Sequence, residues 1–195
     1  MYIHWQMREL NLKIVYYGPA KSGKTTNLEK IHARIDPKRC SQMISLKTNN
    51  DRTIYFDFFQ LELGKIGPFT PKLHLYTVPG QPCYEASRKL VLKGVDGVVF
   101  VADSDSARLA ENIESWHNLE SHLESYGMSI KSLPVLVQFN KQDLTNAFQP
   151  ELLHNLLNLN GFPSVPASAI IEEGVINTLK RITHDVILHV QQQMS

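Results

Sequence analysis

Apolar positions recur along this chain with two spacings, one near two residues and one near 3.6, and the two take turns. Leu12 to Tyr17 is a short apolar, β-branched run stopped by Gly18 and Pro19, the pattern of a strand. The segment Thr25 to Ile35 is charged and helical in pattern. Thr53 to Leu63 alternates, with Ile54, Phe56 and Phe58 on one face and Tyr55, Asp57 and Phe59 on the other. Lys72 to Val78 is another strand, set off from it by Gly64, Gly67 and Pro68, so the two predict an antiparallel hairpin. Val98 to Ala102 and Val135 to Phe139 are almost wholly apolar, as strands covered on both faces are. Between them, Ala107 to Tyr126 spaces Leu109, Ile113, Trp116, Leu119 and Leu123 at a helical period. Pro150 to Leu157 predicts a short helix with proline in its first turn. Ser164 to Ser168 predicts a last strand, and Gly174 to Gln191 a closing helix with a stripe of Val175, Leu179, Ile182, Val186 and Val190.

Strand and helix in alternation imply an α/β domain: a mostly parallel central sheet, helices on both faces and one antiparallel strand pair. At 195 residues, with neither a repeat nor a linker, residues 1–195 are expected to form one domain. Ligands of such sheets bind beyond the carboxyl ends of the strands, so the loops there are where chemistry is sought.

The loop after the first strand reads Gly18-Pro19-Ala20-Lys21-Ser22-Gly23-Lys24-Thr25, followed by Thr26. It fits G-x-x-x-x-G-K-[ST] between a strand and a helix, the pattern of a phosphate-binding loop. Its N–H groups can ring two phosphates, and the helix beginning near Lys24 points its positive end at them. Lys24 can reach the β- and γ-phosphates, and the Thr25 hydroxyl can ligate Mg2+. This motif implies a nucleoside triphosphate without naming the base.

Asn140-Lys141-Gln142-Asp143 follows the strand Val135 to Phe139, at the same sheet edge. The Asp143 carboxylate offers two acceptors that match the N1–H and 2-amino group of guanine, whereas adenine has no such donors. A buried carboxylate left unpaired rejects the wrong base by on the order of 10⁴-fold. Lys141 can lay its stem along a base, and Asn140 can tie this loop to the phosphate loop. The site therefore predicts GTP and GDP as ligands.

These motifs, in this order, resemble the Ras-like small GTPase superfamily over essentially the whole chain, and imply its P-loop NTPase G-domain fold. Ser168-Ala169 resembles the superfamily's S-A-K loop, with Ile170 in place of the lysine. The resemblance implies that the Ala169 N–H meets the base. Where the superfamily has D-x-x-G, this chain has Thr77-Val78-Pro79-Gly80-Gln81. Thr77 thus replaces an aspartate that organises Mg2+ through water, and Asp57 on the adjacent strand is a candidate substitute, although an exposed strand carboxylate is the simpler expectation.

That departure, together with Ser87-Arg88-Lys89-Leu90, Gly94 to Ser104, Lys13 to Pro19 and Asp51-Arg52-Thr53, closely resembles bacterial MglA-type GTPases. The resemblance implies a switch for cell polarity or gliding motility, activated by a homodimeric roadblock-fold MglB-type partner and read by downstream effectors. It implies that Thr53 binds Mg2+ and senses the γ-phosphate. It places Gly80 among the nucleotide-binding residues, makes Gln81 the residue that orients the attacking water, and makes Arg52 an arginine finger carried in the same chain.

Charge and composition remove other classes. Lys and Arg number 20 against 19 Asp and Glu, so the overall basic excess of a nucleic-acid binder is missing. No run approaches a membrane span, Tyr2 stands where myristoylation needs glycine, and no prenylation cysteine ends the chain. A cytoplasmic protein without nucleic-acid partner or membrane anchor is expected. The histidines form no metal pair, and no basic cluster marks Cys83 as reactive. A small-molecule kinase would need an arginine-rich lid and adenine preference, neither of which the sequence offers. A nucleotide-dependent scaffold with little hydrolysis is the alternative that Thr77 keeps open.

Overall fold

The computed structural model describes residues 2–47, 53–81 and 84–194, apart from the side chains of 46–47, 53–55 and 194. Strands β1 (Tyr2–His4), β2 (Glu9–Tyr17), β3 (Ile44–Lys47), β4 (Thr53–Glu62), β5 (Thr70–Thr77), β6 (Gly97–Asp103), β7 (Val135–Asn140) and β8 (Ser164–Pro166) form one sheet. Its order is β3-β4-β5-β2-β6-β7-β8, with β1 paired to the start of β2. Strands β5, β2, β6, β7 and β8 run parallel. The predicted antiparallel pair is β4 with β5. Two further antiparallel pairs, β3 with β4 and β1 with β2, go beyond the single pair expected. Both add short edge strands whose few residues carry too little alternation to read.

Helices α1 (Lys24–Arg34), α2 (Glu85–Leu92), α3 (Leu109–Glu124), α4 (Pro150–Leu156) and α5 (Val175–Met194) cover both faces. On one face Leu12, Ile14 and Tyr16 of β2 pack with Leu28 and Ile31 of α1 and with the α5 stripe. On the other, Val15 and Tyr17 pack with Leu92 of α2 and with Trp116, Leu119 and Leu123 of α3. The alternation along β2 thus feeds two cores. The α5 stripe Val175, Leu179, Ile182, Val186 and Val190 is buried as its spacing predicts, each side chain stabilising the fold by about 1.5–3 kcal/mol.

Strand β2 is where the order reverses. After β2 the chain crosses to the far edge and comes back inward through β3, β4 and β5, then passes to β2's other side with β6. The crevice at such a switch point is where an α/β sheet binds ligands, and the loop Gly18 to Thr25 opens there.

Candidate functional site

Gly23 is the N-cap of α1, in the left-handed region at φ 97°. A Cβ there would lie 2.1 Å from the Asn140 Nδ2, so only glycine fits both the turn and the neighbour. No side chain caps this helix end and its first turn holds no acid, which leaves the N-terminal N–H groups and the positive helix end for an external anion. Gly80 makes the second close approach: a Cβ on it would stand 2.4 Å from the Ala20 backbone. The segment bearing Gln81 therefore touches the phosphate loop directly. Arg108, ahead of α3, donates from Nη2 to the Ala20 oxygen at 3.1 Å and braces the same loop.

Lys24 is buried, and its Nζ curls back to donate to the Gly18 oxygen at 2.9 Å and the Pro19 oxygen at 2.6 Å. Burial pushes its ammonium down to about 7, the nearby Arg88 charge pushes the same way, and Asp57 and Asp103 pull back. The lysine lies in the mouth of its own loop with a charge that an incoming anion would stabilise.

Asp57 is the largest departure from expectation. It is fully buried rather than exposed. Its strand places it between Ser45 of β3 and Thr77 of β5, because Ser45 is its β3 partner and Phe58 stands opposite Tyr76. The carboxylate accepts hydrogen bonds from the Thr25 hydroxyl at 2.5 Å, from the Thr77 hydroxyl at 2.8 Å, and from Ser45. Its own N–H donates to the Thr77 oxygen at 2.8 Å. With its proton committed to Asp57, the Thr25 hydroxyl turns its lone pairs elsewhere. One carboxylate and the three hydroxyls of Thr25, Thr77 and Ser45 make a hard-oxygen set that fits a small divalent cation sharing its shell with phosphates and water. Thr53 opens β4, but its side chain, like all of Arg52, lies outside the described residues.

The loop after β7 is wired to its neighbours. Asn140 donates from Nδ2 to the Ser22 oxygen at 2.7 Å and accepts the Ala169 N–H at 2.8 Å. That second bond differs from expectation: the Ala169 N–H is engaged by Asn140, so a base oxygen would share it or take it over. Ser168 donates to the Asp143 carboxylate, fixing one of its oxygens. Lys141 pairs with Asp103 at 2.6 Å, and Asp103 is fully buried at the end of β6. Glu172, beyond Ala169, is held by Lys30 at 3.2 Å and Arg34 at 2.5 Å from α1. The phosphate loop, the Asn140–Asp143 loop and the Ser168–Ala169 loop thus form one network.

Of the residues expected to form a site, Gly18, Pro19, Ala20, Lys21, Ser22, Gly23, Lys24, Thr25, Thr26, Gly80, Gln81, Asn140, Lys141, Asp143, Ser168 and Ala169 all lie in this edge's loops or at the start of α1. Asp103, Arg88 and Glu172 were not expected there. Among the described residues no helix is long and apolar enough to cross a membrane.

Residues 2–186 match the ADP-ribosylation factor family. The chain is 46% identical over 191 residues to the mutual gliding-motility protein MglA of Myxococcus xanthus, covering 98% of both chains. It is 32% identical over 126 residues to human ADP-ribosylation factor-like protein 4A, covering 61% of this chain and 60% of that one. It is 25% identical over 185 residues to ADP-ribosylation factor-like protein 2 of Arabidopsis thaliana, covering 92% and 89%. A strand-to-helix phosphate loop joined through Asn140 to a guanine-type loop is the arrangement these matches lead one to expect, and the chain belongs to the ADP-ribosylation factor family of Ras-like GTPases.

Proposed function

We propose that residues 1–195 form one G-domain that works as a GTP-dependent switch and resets by slow hydrolysis. The observation that carries this reading is Asn140, bonded at once to Ser22 of the phosphate loop and to Ala169 of the last loop. It joins the segments that would hold the phosphates and the base.

In this reading the N–H groups from Gly18 to Thr26 hold the phosphates and Lys24 swings from its own loop onto the β- and γ-oxygens. Asp143, set by Ser168, reads guanine; Lys141, held by Asp103, lies along the base; Ala169 meets the 6-oxo group. Thr25 and Thr53 would hold Mg2+, with the Asp57 carboxylate supplying the negative charge that Thr77 lacks. Bound there, Mg2+ neutralises charge on the β- and γ-phosphates. Gln81 orients the attacking water, and Arg52 supplies a cation to the charge that spreads over the transferring phosphoryl group. The resemblance to MglA, named for gliding motility, supports a cytoplasmic role in motility or polarity, with a roadblock-fold MglB-type homodimer as activator and further proteins as effectors.

Single-turnover GTP hydrolysis, with and without such an activator, tests this. Arg52→Ala or Gln81→Ala is expected to cut stimulated hydrolysis by roughly 10³-fold or more with GTP affinity retained. A wild-type chain that stays at background with its activator would instead be a nucleotide-dependent scaffold.

Lys24 adds a pH signature. Its pKa, pushed down to about 7 by burial, rises when phosphates sit beside it. Above pH 7 the bound state then holds the extra proton, so nucleotide affinity falls as pH rises. Calorimetry at pH 8 in two buffers of different ionisation enthalpy should show uptake of about one proton. No uptake at that pH would contradict the Lys24 assignment.

A further inference from the structure

Arg88 on α2 is a charge placed where charge is unfavourable. It is 6% exposed, while Leu90, two residues on, is 69% exposed. Val91 and Leu92, three and four residues on, fix the inward face of the helix, and Arg88 occupies that face among them. Among the described residues, the guanidinium has one hydrogen-bond acceptor: Nη1 donates to the main-chain oxygen of Gln81 at 3.0 Å. Its Nε is buried without a partner. Glu85, on the same helix, is occupied elsewhere, bonding Lys89 at 3.1 Å and approaching His122 at 3.6 Å. The groups that feel the Arg88 charge include Lys24, Tyr17 and His122, none of them an anion.

A buried, under-satisfied cation adds little to stability by itself. Its one hydrogen bond among the described residues falls on Gln81, whose predecessor Gly80 is wedged against Ala20 of the phosphate loop. The main chain at Gln81 is therefore held from both sides, by backbone contact before it and by Arg88 after it.

We infer that Arg88 is a positioning residue for hydrolysis, its guanidinium fixing the main chain at Gln81 so that the Gln81 amide meets the attacking water. This rests on the reading of Gln81 as the water-orienting residue. Geometry at that water is demanding, and a displacement of about 1 Å costs up to about 10²-fold in rate.

The test is single-turnover GTP hydrolysis by the full chain, with GTP affinity and melting temperature measured on the same samples. Arg88→Met should slow hydrolysis by about 10-fold or more and leave GTP affinity unchanged. Arg88→Lys, which keeps one donor and the charge, should recover most of the rate. In a Gln81→Ala background, Arg88→Met should have no further effect, because the two act on the same water. If methionine at 88 lowers the melting temperature, Arg88→Leu, which likewise has no donor, takes its place with the same expectations. A slow Gln81→Ala beside an unaffected Arg88→Met, or slowing that multiplies in the double variant, would overturn the inference alone. An unaffected Gln81→Ala would overturn the Gln81 reading and this inference with it.

Discussion

Asp143→Asn is expected to lower GTP affinity by on the order of 10³-fold or more and to admit xanthosine triphosphate in its place. The carboxylate is an acceptor at both oxygens, and Ser168 holds it in place. An asparagine turns one of those acceptors into a donor facing the donor edge of guanine, and a buried donor left against a donor costs about 1–3 kcal/mol beyond the bond lost. Xanthine carries an oxo group where guanine carries its 2-amino group, so the same amide suits it. Fluorescence competition among GTP, XTP and ATP on the wild type and the variant reads both effects. Unchanged GTP affinity in the variant would mean that Asp143 does not touch the base.

Asp57→Asn carries the second large effect, and it separates two accounts of Thr77. The substitution keeps the size and one acceptor oxygen of the side chain, so the hydroxyls of Thr25, Thr77 and Ser45 still crowd a polar group. It removes the charge. Losing one member of a buried, hydrogen-bonded charge pair costs about 2–5 kcal/mol, so GTP affinity in Mg2+ should drop by roughly 10²-fold or more. In EDTA the wild type and the variant should bind alike, because the loss runs through the cation. Equal loss with and without Mg2+ would assign Asp57 a purely structural role. Without Asp57, Thr77 would imply a weak metal site. With it, a buried carboxylate stands one strand over, on β4 beside Thr77 of β5, and the Thr77 hydroxyl helps to orient it.

Asp57 also marks how far the sequence could be read. The α5 stripe, the buried runs of β6 and β7, the phosphate loop and the position of Asn140 at the end of β7 were all legible, because each is encoded within one or two local periods or motifs. The burial of Asp57 was not. Its hydrogen bonds depend on register across two strand pairs, with Ser45 on one side and Thr77 on the other, and although Asp57 shares its face of β4 with Phe59, the opposite face with Ile54, Phe56 and Phe58 is just as apolar, so alternation alone does not tell which face is covered. Asp103 was read as part of a family resemblance, yet its role as partner to Lys141 spans 38 residues and is set by the parallel pairing of β6 with β7. Strands β1 and β3 escaped because edge strands of three and four residues offer too few positions for a period to show. Helix α2 escaped for a different reason: a buried arginine occupies a turn where an apolar residue would have revealed its inward face.

The most direct test of the central claim is to identify the nucleotide and metal released from the purified, undenatured chain, followed by competition between GTP and ATP for the emptied site. Guanine nucleotide with Mg2+, displaced by GTP and untouched by ATP at equal concentration, is the predicted result. An adenine nucleotide, or equal displacement by ATP and GTP, would contradict it.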